Sequence, residues 1–166
     1  MSIEGSVLIK NVETKETQSI VRIRNLVFVL LALLIAQFWL GMTINLEIDI
    51  PVKYLGAVQS LLYFGSHFGF ILAHIVVGFA ILFTSLGFLV LSFRTHILSL
   101  RICAIIILAG VIGAITNGIL FLMSGQFFGW SIGMAMSAVT VLVVSAISLY
   151  YIGQYIHNPK SKKWRS

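Results

Sequence analysis

Few residues in this chain have side chains suited to chemistry. Two histidines, His67 and His74, lie in a run from Tyr54 to Phe93 that contains no Asp, Glu, Lys or Arg. On a helix, seven residues advance about two turns, so the two rings share one face roughly 10 Å apart along the axis. Ile71, Gly78, Ile81 and Ser85 fall on the same face. Imidazole ligates haem iron, and methionine can supply the second axial ligand. Gly78, one turn beyond His74, would let a flat macrocycle approach the helix. Two histidines on one helix cannot hold one iron from opposite sides. The second ligand must then be Met134 or Met136, or a histidine of another copy. With Asn117 at a similar depth, the candidate cofactor set is His74, His67, Met134 and Asn117, and the cofactor would be haem b. Two other roles compete for the same residues. They could line a proton or substrate path, or the neutral imidazoles could hydrogen-bond across helices to Asn117, Gln37 or Ser85. A site for a bare metal ion is disfavoured, because no carboxylate or thiolate stands near either histidine.

These side chains must be positioned by membrane-spanning helices. The 166 residues are 59% hydrophobic and only 10% charged, against roughly 25% charged in ordinary soluble domains. The apolar residues form four long blocks, and about 20 such residues cross a hydrocarbon core roughly 30 Å thick. The expected fold is therefore all-α, a polytopic four-helix membrane bundle. Residues 1–24 form a polar N-terminal tail, in which Val7, Leu8 and Ile9 could make a short strand or lie on the membrane surface. Residues 25–152 form the four-span domain, and residues 153–166 a basic C-terminal tail. The spans run from about Leu26 to Leu46, Phe68 to Phe93, Ile102 to Met123 and Trp130 to Tyr151.

The uncharged run Tyr54 to Phe93 would be about 60 Å long as one helix, twice the bilayer core. Charge decides how it divides, because Lys and Arg concentrate in cytoplasmic loops. Lys10, Lys15, Arg22, Arg24, Arg94, Arg101, Lys160, Lys162, Lys163 and Arg165 all lie inside if the run contains one span, leaving only Lys53 outside. Two spans would scatter them. The expectation is four spans with both termini cytoplasmic, and a helical segment at the outer face over residues 54–66. His74, His67, Asn117 and Met134 then gather in the outer half of the bundle.

The net charge of +6 belongs to these flanking residues, which suit anionic headgroups. No folded basic surface is left for nucleic acid. A single cysteine, Cys103, rules out an internal disulfide or a CxxC motif. Small residues at a spacing of four mark the faces through which membrane helices meet. They are Gly65, Gly69 and Ala73 in span two, Gly110, Ala114 and Gly118 in span three, and Gly129 and Gly133 in span four.

Two resemblances arise. Ala36-Gln37-Phe38-Trp39-Leu40-Gly41, followed by His67 at the outer end of the next span, resembles the four-helix half of the haem A synthase family. That family's acidic residue three before the histidine is Phe64 here, and Phe128 to Ile132 offers no histidine at the start of span four. The resemblance thus implies a fold relation without the catalytic role. Ala73-His74-Ile75-Val76-Val77-Gly78 and Ala114 to Leu122 resemble signatures of small uncharacterised four-helix integral membrane proteins of prokaryotes. This implies a fold and a place in the prokaryotic cell membrane, and no activity. The function expected first is an accessory or structural membrane subunit without its own catalysis, in a larger complex or a homo-oligomer within the lipid bilayer. The alternative is a b-type haem-binding or quinone-linked redox protein. A small-solute channel or transporter comes third, since the spans carry neither charges nor broken-helix signals.

Overall fold

The computed structural model describes residues 3–47, 69–95, 97–124 and 127–157, with the side chains of 18–45 in the first stretch. They form four helices: α1 (Ile3–Glu47), α2 (Gly69–Phe93), α3 (Leu98–Met123) and α4 (Phe128–His157). All four are long and apolar enough to cross a membrane, α1 through its segment Gln18–Asn45. The protein is an all-α, four-helix membrane bundle. In hydrocarbon a backbone polar group must find its partner inside the protein, which a helix provides from its own chain. None of these four helices contains a proline. Hydroxyls in the spans are served the same way: Thr84, Thr116 and Thr140 donate to the carbonyls of Ala80, Ile112 and Met136, one turn back.

Each helix packs on its neighbours in sequence, and α4 closes the ring against α1. The start of α1 and the end of α4 therefore lie at one end of the bundle, called here the terminal end. The core lies mostly there. Buried side chains recur at alternating steps of three and four residues: Ile20, Ile23, Val27, Leu30 and Leu34 on α1, and Ile81, Ser85, Phe88 and Ser92 on α2. The same rhythm gives Leu100, Ala104, Ile107 and Val111 on α3, and Val141, Ser145, Ser148 and Ile152 on α4. Such a heptad seam keeps one narrow face of each helix toward its partners. The four serines in it are fully buried. Each hydroxyl donates to a carbonyl of its own helix at 2.7–2.8 Å. Serine thus acts as a small residue with its polar atom satisfied, in a core that must also hold Phe88.

The turn between α2 and α3 is tied by Arg101, which lies in the first turn of α3. Its Nε donates to Thr95 O at 3.1 Å, its Nη2 donates to Thr95 O and Phe93 O, and its guanidinium lies 5.7 Å from the centre of the Phe93 ring. A cation there satisfies carbonyls left open by the helix end and complements its dipole.

Three of the helices, α1, α3 and α4, extend beyond the expected spans. The polar N-terminal stretch is not a strand. It is helical from Ile3 and continuous with the first span, because after Gly5 nothing in it breaks a helix. α3 starts at Leu98 and α4 runs to His157. The expected outer-face segment over residues 54–66 lies outside the described residues, as does the basic tail beyond His157.

α3 and α4 pack tightly at Gly110. A Cβ at Gly110 would lie 2.6 Å from Val141 Cγ2 and 3.5 Å from Ser137 O. Gly110→Ala should therefore destabilise the bundle by about 1–3 kcal/mol, the usual cost of overpacking. Adding Val141→Ala should restore most of the loss, as read from reversible unfolding in bicelles.

Candidate functional site

The seams continue past the core toward the far end of the bundle, but their residues change in kind. On α1, Leu34 is followed at the same spacing by Gln37 and Gly41; on α2, Ile81 is preceded by Gly78 and His74. These four residues interlock. Gln37 Nε2 lies 3.0 Å from His74 Nε2. A Cβ at Gly41 would lie 3.3 Å from His74 Cε1, and one at Gly78 would lie 3.5 Å from Gln37 Nε2. Each polar side chain is thus seated over the glycine of the facing helix. Stepping one turn along α1 from Gln37 to Gly41 matches one turn back on α2 from Gly78 to His74, the register of an antiparallel pair.

The hydrogen bond leaves a remainder. With the amide nitrogen donating, His74 Nε2 accepts and the ring proton sits on Nδ1; turning the amide over reverses both roles. Either way Gln37 keeps one free end and His74 one free ring nitrogen. Gln37 Oε1 and His74 Nδ1 are both buried and have no hydrogen-bond partner among the described residues. A buried polar atom without a partner costs about 1–3 kcal/mol, so such atoms are uncommon in native interiors.

The second helix pair repeats the arrangement. Asn117 lies against Gly133, and its Nδ2 donates to Gly113 O at 2.7 Å. Ser137 Oγ would lie 3.2 Å from a Cβ at Gly113, and Met134 Sδ would lie 3.2 Å from one at Gly118. His74 and Asn117 each stand about twenty residues from the α2–α3 turn, on either side of it, so they lie at one level, about 30 Å along the helices.

Of the expected cofactor residues, the structure joins His74 to Gln37 and sets Asn117 and Met134 together on the α3–α4 side. Among the described residues no hydrogen bond links these two pairs. His67 lies outside the described residues. Met136 is 63% exposed on the outer face, which leaves Met134, half-buried, as the methionine on the bundle side. Gly78 does not leave its helix face open for a macrocycle, because Gln37 occupies it. Among the described residues no three His, Cys, Asp or Glu come together as a metal site.

The helix-packing residues divide similarly. Gly110, Gly118 and Gly133 meet the facing helix, and Ala73 and Ala114 are half-buried. Gly65 lies outside the described residues. Gly69 faces nothing within 4 Å among them, and Gly129 meets only the nearby Phe127 ring. Gly41, outside the expected packing set, and Gly113, which lies beside the Gly110, Ala114 and Gly118 stripe, form half of the polar seats. Their sequence signal was a glycine one turn from a polar residue, Gln37 on the first span and Asn117 on the third.

Comparison with family models, with curated proteins and with solved structures found no match to this chain.

The Gln37–His74 contact should register as a coupling. In a double-mutant cycle with Gln37→Leu and His74→Leu, the pair should show an interaction energy of about 0.6 kcal/mol, reaching about 1–2 kcal/mol if the site is well desolvated. The double change should cost less stability than the two single changes added together, because each single change leaves the other partner unpaired. Reversible unfolding in bicelles would measure all four corners.

Proposed function

We propose that the chain is an integral membrane accessory or structural subunit without catalysis of its own, working in a larger membrane complex or as a homo-oligomer. We place it in a prokaryotic cell membrane with both termini in the cytoplasm. What carries this is the use made of the interior polar groups. Gln37, His74, Asn117 and Ser137 are each seated on a glycine of the facing helix, where small and polar residues hold membrane helices together. The asymmetry of Lys and Arg supports the orientation.

Extraction in a mild detergent followed by native electrophoresis and cross-linking tests the role. Migration with another membrane protein, or at a multiple of the 18.3 kDa chain mass, is the expected outcome; a bare monomer would count against it. For the orientation, a C-terminal alkaline phosphatase fusion should be inactive and a C-terminal fluorescent protein bright. The reverse pattern would overturn the cytoplasmic placement.

One observation favours haem b as a second possibility: His74 and Met134 stand at the same level on the two helix pairs. Iron ligation through His74 Nε2 would require its contact with Gln37 to open. Visible spectra of protein made with haem available decide this. A Soret band lost in His74→Ala and kept in His157→Ala would support it, and the absence of any band in the unmodified protein would exclude it.

A further inference from the structure

The polar layer sits between two apolar clusters. On its terminal side the core ends at Leu34, Ile81, Val111 and Val141; on its far side Ile71 gathers Ile44, Ile75, Phe121 and Leu122. Between them the seams carry Gln37, Gly41, His74 and Gly78, small or polar residues that are only half-buried. The terminal half gives no way through: Leu30, Phe88, Leu100 and Ile107 are each 0% exposed. A molecule reaching this layer therefore comes from the far end, or sideways from the lipid.

The chemistry of the layer limits what that molecule can be. No Asp, Glu, Lys or Arg occurs in residues 25–45 or 69–93, so a charged ligand would find no counter-charge on α1 or α2 and would be costly to hold there. The free ends of the Gln37–His74 pair are always complementary. If the amide nitrogen donates to Nε2, they are an acceptor (Oε1) and a donor (Nδ1–H). If the amide is turned over, they are a donor (the amide N–H) and an acceptor (Nδ1). One donor and one acceptor together match a hydroxyl group, which both gives and takes a hydrogen bond. A carbonyl alone matches only half of the pair.

We propose that Gln37 and His74 form the polar end of a binding site, between α1 and α2, for an uncharged lipid that carries a hydroxyl on a small headgroup. Such a hydroxyl can come from a quinol or from a glycerolipid, and both are lipid-soluble. This goes beyond the accessory-subunit role and does not depend on it, since a monomer could carry the site equally well.

Purified protein in nanodiscs, titrated with decylubiquinol, decylubiquinone and dioctanoylglycerol, tests the site by thermal stabilisation and by ligand-detected NMR. Saturable binding of decylubiquinol, with decylubiquinone about tenfold weaker through the loss of one hydrogen bond, supports a quinol site. Saturable binding of dioctanoylglycerol alone supports the site and assigns it to a glycerolipid. In Gln37→Leu/His74→Leu, where neither polar group is left unpaired, binding should fall at least about tenfold; His157→Ala should bind as the unmodified protein does. If the double variant does not fold, His74→Gln serves, because it keeps a donor and an acceptor and should retain binding of the same hydroxyl ligand. Failure of both hydroxyl ligands to saturate, or undiminished binding in the folded double variant, would overturn the site and leave ordered water to serve the two free atoms.

Discussion

Helices in lipid gain nothing by hiding apolar side chains from one another, since the surrounding hydrocarbon is as apolar as they are. The whole bundle depends on how its helices answer that constraint. They do so by close approach and by short-range polar contact, often at the same residue pair. At the α1–α2 interface, glycine gives up its side-chain volume to the polar group opposite, and the exchange is mutual: Gln37 on Gly78, His74 on Gly41. The α3–α4 interface uses Asn117 on Gly133 and Ser137 on Gly113 in the same way. Large apolar side chains such as Phe28, Trp39, Phe79 and Phe83 are left on the outside, where lipid receives them.

The two halves of the bundle solve different problems. In the terminal half, hydroxyls are closed on their own backbone and the interior is packed around Phe88. In the far half, Gln37 and His74 bond across helices, and one polar atom of each has no partner among the described residues. A purely structural polar pair would tend to be fully satisfied, because partly satisfied groups in a low-dielectric interior are costly. The difference between the halves is therefore chemical as well as geometric, and it follows directly from which residues occupy otherwise equivalent seam positions.

Most of the fold was legible because it rests on an excess: long uncharged blocks leave few ways to thread the chain. The face shared by Ile71, His74, Gly78, Ile81 and Ser85 was legible from helical period alone, and Gln37 stood among the possible partners of His74. The pairing itself was not legible. It depends on the register of α1 against α2, which the chain between them does not encode in any local pattern. Small-residue spacing also overreached. Gly69 and Gly129 have the spacing of a packing stripe, but the described structure brings no facing helix against them, because a stripe matters only where a partner's register meets it. Arg101 counted as a loop charge in the sequence. Its work in capping α2 becomes visible only once the turn folds back upon Thr95.

The continuous α1 helix joins these features mechanically. Its 45 residues contain no joint between the polar stretch near Ile3 and the seam residue Gln37. A rod of this kind, about 68 Å long at 1.5 Å per residue, behaves as a lever whose fulcrum is the packed stretch from Ile20 to Leu34. A tilt or turn of this helix as one body would shift the Gln37 amide against the His74 imidazole. The pair inside the far half is thereby within mechanical reach of whatever grips the other end of the same helix.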